Sequence, residues 1–202
     1  MRIPRLIAPS LILGLALAAA GPVHAQFPRP TGTQTAIEGT VGNQVLQLRY
    51  YMPAPIGPNN SDLDVGFLLT ENREFIASSA LMFDTNVGVV PHLRFEVGPQ
   101  AYLALLNETQ KTDIFAIAIG ANIRYEIPAI RFAAFGSAFY SPGVTTFGSA
   151  HNLYDFIAGV EFDFTPSLAV LGGYRWLKFT LVNLPDDRIS NEAFGGIRWN
   201  FQ

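Results

Sequence analysis

Residues 113–127 read Asp-Ile-Phe-Ala-Ile-Ala-Ile-Gly-Ala-Asn-Ile-Arg-Tyr-Glu-Ile. The odd positions Phe115, Ile117, Ile119, Ala121, Ile123, Tyr125 and Ile127 are apolar, and the even positions Ala116, Ala118, Gly120, Asn122, Arg124 and Glu126 are small or polar. Successive side chains of a strand point to opposite faces, so a period of two sustained this long predicts a β-strand. It also exceeds the usual soluble strand of about 5–6 residues. Asn152–Phe164 repeats the pattern, with Tyr154, Phe156, Ala158, Val160, Phe162 and Phe164 opposite Asp155, Gly159, Glu161 and Asp163. His92–Leu106 sets Leu93, Phe95, Val97, Ala101, Leu103 and Leu105 against Arg94, Glu96, Gly98 and Gln100. In the last segment Ala193, Gly195, Ile197, Trp199 and Phe201 oppose Glu192, Gly196, Arg198 and Asn200.

Weaker segments complete a series of strands near 36–41, 44–52, 62–70, 75–84, 93–106, 113–127, 130–141, 152–164, 168–179 and 192–201. Roughly 10-residue segments with dyad alternation, separated by turn residues, are the signature of an outer-membrane barrel. The expected fold is therefore all-β, an up-and-down antiparallel transmembrane β-barrel of about 10 strands, with 8 the alternative. Connection lengths support it in the second half. Pro128-Ala129 and Thr165-Pro166-Ser167 are tight and fall on the side of the termini, whereas Asn107–Thr112, Pro142–His151 and Val182–Asn191 are long, polar and external. The early Pro53–Ser61 connection breaks that order. Tyr125, Tyr140, Tyr154, Tyr174, Trp176 and Trp199 lie near predicted turns, where an amphipathic ring suits the headgroup region.

Composition agrees with an apolar solvent. Of 202 residues, 49% are hydrophobic and only 14% charged, against about 25% charged in a soluble domain. With 13 Lys plus Arg against 16 Asp plus Glu and no basic cluster, nucleic-acid binding is disfavoured. There are no cysteines, so disulfides play no part. The competing architecture is a secreted β-sandwich, in which these apolar faces would meet each other.

The N-terminus predicts export. Arg2 and Arg5 precede an apolar run from Leu6 to Ala20, and Val23-His24-Ala25 carries small residues three and one positions before a cleavage point. That is a secretory signal peptide, its apolar run shorter than the ~20 residues a bilayer-spanning helix needs. The expected organisation is a signal peptide at 1–25, a short extension at 26–35 and the barrel at 36–202. Cleavage after Ala25 leaves 202 − 25 = 177 residues with charge 11 − 16 = −5.

The motifs Phe135-Gly136-Ser137-Ala138-Phe139-Tyr140-Ser141-Pro142, Phe147-Gly148, Thr165-Pro166-Ser167-Leu168 and Gly173-Tyr174-Arg175 resemble the C-terminal half of the YfaZ family of proteobacterial outer-membrane proteins. The resemblance implies an outer-membrane barrel and brings no catalytic residues. The C-terminus also resembles the assembly signal read by the barrel-assembly machinery, through Gly196, Trp199 and Phe201. Gln202 after the terminal aromatic and Phe194 at a usually polar position depart from that signal.

Eleven charges fall on the inward faces: Arg94, Arg124, Arg131, Arg175 and Arg198 against Glu96, Glu126, Asp155, Glu161, Asp163 and Glu192. Buried charges must be paired, and this near balance predicts a lumen closed by ion pairs, since about eight strands leave no aqueous channel. A narrow porin-like channel for small solutes is the alternative. A lipid-modifying enzyme is the third reading, through Ser149, His151 and Asp155, although their order does not match that of barrel lipases. The expectation is therefore a non-enzymatic structural or surface-interaction barrel, monomeric, with no cofactor and no metal site. Its partners are membrane lipid, lipopolysaccharide and the assembly machinery.

Overall fold

A computed structural model describes residues 35–54, 61–85, 90–106, 112–181 and 187–201. The expected signal peptide 1–25, the expected extension as far as 34, residues 55–60, 86–89, 107–111 and 182–186, and Gln202 lie outside the described residues. The strands are β1 (Thr35–Gly42), β2 (Val45–Pro53), β3 (Ser61–Thr70), β4 (Phe75–Asp84), β5 (Leu93–Leu106), β6 (Thr112–Glu126), β7 (Phe132–Ser141), β8 (Thr146–Gly148), β9 (Ala150–Asp163), β10 (Leu168–Leu181) and β11 (Asp187–Phe201).

Each long strand pairs antiparallel with the next, and β1 pairs with β11 from Thr35↔Phe201 to Gly42↔Phe194. The ten long strands thus close on themselves, and closure removes the exposed edges an open sheet would carry. Little β8 stands apart, bonded to the upper end of β6 through Ala116↔Thr146. Both chain ends of the barrel lie at one mouth, here called the terminal mouth. Wall height varies around the barrel: β5, β6, β9, β10 and β11 run 14 or 15 residues, β1–β4 and β7 only 8 to 10.

Two expected loops are partly strand. Pro142–His151 contains a 3-10 turn (Gly143–Thr145), then β8 and the start of β9. In the expected loop Val182–Asn191, β11 already begins at Asp187. A register shift between Leu177 and Lys178 is the reason, because a bulge breaks the period of two there. At the tight turn after β6, Ala129 takes φ 67°, a left-handed geometry costly for a side chain.

The outward face is apolar. Ile119 is 74% exposed, and Leu48, Phe67, Leu103, Ile123, Val160, Val170 and Ile197 also lie open on it. Among the strand residues whose side chains are described, the outward charges are Asp113 and Lys178, both at the end opposite the termini. An apolar patch this large is untenable in water. Aromatics bound it above and below. Tyr140 and Tyr154 pack as a tilted pair at 5.0 Å, and Trp176 joins Tyr154 at 6.0 Å, at the far end. Tyr125 and Trp199 lie at the terminal end, where Trp199 stacks on Phe201 at 6.2 Å. Leu168 is level with Trp199, and the eight residues from there to Trp176 span about 26 Å along the strand. At a barrel tilt of 35–45° that is roughly 20 Å of membrane normal, close to the ~25 Å apolar band of membrane barrels. No helix among the described residues is long and apolar enough to cross a membrane; the strands cross it.

Candidate functional site: a divided lumen

The inward positions fall into two zones. Toward the far end they carry an apolar cluster that includes Leu68, Ile76, Met82, Tyr102, Ile114, Phe139, Leu153, Leu177 and Phe179. Leu153, Leu177 and Phe179 are wholly buried although the barrel wall is one sheet thick. Leu153 and Phe179 are partners on adjacent strands, and they are buried because the cluster they belong to gathers inward side chains from β2–β7 as well as β9–β11.

Toward the terminal mouth the inward residues are charged and interlocked. Glu161, wholly buried, accepts Arg124 and also Arg198 Nη1 at 3.0 Å. Arg198 reaches on to Glu38, donating from Nη2 at 2.6 Å and Nε at 3.0 Å. Glu38 further accepts Tyr51 Oη at 3.3 Å. The guanidinium groups of Arg49 and Arg198 lie 5.1 and 5.4 Å from the Tyr51 ring centroid, within cation–π range. Arg49 in turn pairs with Asp64. One chain of contacts therefore runs Arg124, Glu161, Arg198, Glu38, Tyr51, Arg49, Asp64 around the wall. Nearer the mouth, Arg94 pairs with Asp62, with Asp84 at 3.4 Å and with Glu96 at 2.6 Å, and Asn122 donates to Glu96 at 3.2 Å. At the boundary of the two zones Asp155 accepts Tyr102 Oη at 3.0 Å and Arg175 Nη2 at 2.9 Å.

The remaining sequence-predicted positions are more dispersed. Glu126 sits 3.7 Å from Arg124 Nε, half exposed toward the mouth. Asp163 faces inward near the end of β9. Glu192 accepts the backbone N–H of Gln44 at 2.8 Å and so ties the β1–β2 turn to β11. Arg131 lies outside the strands, on the bend before β7, where Nη1 donates to the Phe164 carbonyl at 3.3 Å. Gly196 opens space against Thr40, while Trp199 and Phe201 face outward. His151 packs against Gly143, and Asp155, four residues along the strand, is occupied in the lumen. Among the described residues no group of three or more potential metal ligands gathers.

Glu38, Arg49, Tyr51, Asp62, Asp64 and Asp84 were not singled out by the sequence, yet they make half of the network. Their signal is the same alternation, carried by short strands: Asp62 and Asp64 flank Leu63, and Arg49 and Tyr51 flank Tyr50. With them, the described inward charges are Arg49, Arg94, Arg124, Arg175 and Arg198 against Glu38, Asp62, Asp64, Asp84, Glu96, Glu126, Asp155, Glu161, Asp163 and Glu192. Five against ten replaces the expected near balance. The expectation that ion pairs close the lumen is corrected too. Pairs line the terminal half around an open cavity of about 200 Å³, and apolar packing fills the far half. The physical reason is reach: each pair joins neighbouring or near-neighbouring strands along the wall, leaving the axis free.

Glycines keep that cavity open. A Cβ on Gly159 would stand 2.6 Å from the Phe135 ring, and one on Gly173 2.9 Å from the Phe194 ring. Both rings line the cavity, each with its tip over the notch its glycine leaves.

A sequence model described as "YfaZ precursor" matches residues 36–201. No curated protein matches. Among solved structures, a bacterial polysaccharide outer membrane secretin is 13% identical with TM-score 0.47, over 81% of this chain and 58% of that one. The chain thus spans 58% of the secretin's length. The KdgM porin, solved in complex with disordered oligogalacturonate, is 8% identical with TM-score 0.41, over 84% of this chain and 100% of that one. Neisserial surface protein A is 17% identical with TM-score 0.33, over 83% of this chain and 94% of that one.

Proposed function

The chain belongs to the YfaZ family, and from that premise we propose that it is a structural outer-membrane barrel, closed to solutes, that acts through its outer belt and far-end loops rather than through its lumen. The observation that carries this reading is the apolar cluster across the far half, in which Ile114, Leu153, Leu177 and Phe179 are wholly buried. An ion passing through that cluster would be stripped of water by apolar side chains, a cost of several kcal/mol or more, and the polar side chains at that end, Gln47, Ser190 and Glu192 among them, lie to one side of it, on β2 and β11. A ring of fixed charge at the other mouth does not lower that barrier.

The surroundings follow from the surface. Membrane lipid covers the apolar belt, and lipopolysaccharide meets the far-end aromatics Tyr140, Tyr154 and Trp176. The barrel is monomeric, because closure leaves no long edge to pair. Export proceeds by cleavage after Ala25, and Gly196, Trp199 and Phe201 serve the assembly machinery. No enzymatic role is assigned, since Asp155 is engaged by Arg175 and Tyr102 and is not free to orient His151.

Single-channel recording of the refolded mature chain in planar bilayers tests the reading, with a heat-modifiability gel to report a formed barrel. The expected result is a folded, electrically silent protein. Resolved conductance steps that change on Arg124→Gln or Glu161→Gln would overturn it in favour of a narrow channel.

A further inference from the structure

We propose that the cavity at the terminal mouth is a blind cup that binds a small, neutral, polyhydroxylated molecule of about monosaccharide size. Its volume of about 200 Å³ lies below the ~300–1,000 Å³ of sites for drug-sized ligands. Met82 belongs both to the cavity lining and to the apolar cluster, so the cup adjoins the packed half of the lumen directly. Access is from the mouth that holds the chain ends, the periplasmic side of an outer-membrane barrel.

The chemistry of the wall selects the ligand. All four arginines lining the cup are already engaged by carboxylates. A charged ligand would have to displace one of those partners and leave it buried without its counter-ion, which is strongly unfavourable. Arg94 Nε and Arg124 Nη2 are left buried without a hydrogen-bond partner and can donate to a neutral hydroxyl oxygen without displacing a carboxylate; the rest of the spare capacity is neutral. Ser137 and Asn200 line the cavity with no side-chain hydrogen bond among the described residues, and between them they offer a hydroxyl, an amide carbonyl and an amide N–H₂. Phe135 and Phe194 reach their ring tips over the glycine notches and add apolar carbon to the lining. Hydroxyl groups that donate and accept, set around a ring with C–H faces, match this combination. A ligand with a formal charge does not.

Saturation-transfer NMR on the refolded barrel tests this in micelles of lauryldimethylamine oxide, a detergent without a sugar headgroup. The probes are D-glucose, D-galactose and myo-inositol, with L-glutamate, L-arginine and D-galacturonate as charged comparators and heat-unfolded protein as the blank. Transfer to at least one neutral probe is expected, with little to the charged ones. It should be lost in Ser137→Trp, which fills the cup, and in Asn200→Leu, which removes a polar contact; the second variant decides if the first does not fold. No transfer above the blank to any neutral probe, transfer confined to charged probes, or signals unchanged in both folded variants would overturn the proposal. Conductance is read separately, so a conducting barrel would sink the closed-lumen function and leave this result standing.

Discussion

The two halves of the lumen use opposite devices behind the same outer surface. In the far half, inward side chains from nearly every strand gather into one apolar cluster, and Leu153 and Phe179 are as buried as in a soluble core. In the terminal half, inward side chains bond along the wall, and the axis stays open. The difference teaches that the hydrophobic effect still operates inside a membrane barrel, provided the space it fills would otherwise hold water. Outside, it sets the belt against lipid but gives little reward for packing one belt residue on another.

The largest effect is expected where the charged half is least tolerant. Glu161→Ala leaves Arg124 and Arg198 without their shared acceptor, and a broken buried pair costs about 3–5 kcal/mol. Denaturant titration of the folded barrel in micelles measures it. A loss below about 1 kcal/mol would mean that water in the cavity replaces the carboxylate, and that the network is softer than its geometry.

Leu153→Ala probes the apolar half and should cost about 2–5 kcal/mol, the range for cavities in well-packed cores. A near-neutral outcome would show that the far half is wet, and would erase the distinction between the two zones. Tyr102→Phe tests their boundary. It removes the hydroxyl that donates to Asp155 and should cost about 1.5–3 kcal/mol, as for a hydrogen bond to a charged group. The smallest effect belongs to the outer face: Ile119→Leu should stay within about 0.5 kcal/mol, because the side chain meets lipid before and after. Comparing this change with Leu153→Ala in one denaturation series sharpens the contrast between belt and lumen.

Much of this was legible in residues 113–127. Ile119 outward and Gly120 inward follow from parity alone, and every long strand repeats the rule. The far-end connections were not legible to the same degree. Asp187–Asn191 reads as polar loop, yet it is strand, because the register shift at Leu177/Lys178 destroys the alternation by which a strand is recognised. The site was half legible. Arg124, Glu161 and Arg198 stood out on long strands, while Glu38, Arg49 and Asp64 sit on strands too short for the alternation to be emphatic.

What the sequence by itself determined was which side of the wall each residue takes, and hence a belt that only lipid can solvate. That follows from local geometry, since a strand's side chains alternate whatever lies beyond it. Which inward residues meet was decided by the tertiary structure alone. Glu38 and Arg198 are 160 residues apart and become partners only because β1 closes on β11 in the register Glu38↔Arg198. Closure and register are properties of all ten strands together, and they alone separate a cup lined by paired charges from a far half packed dry.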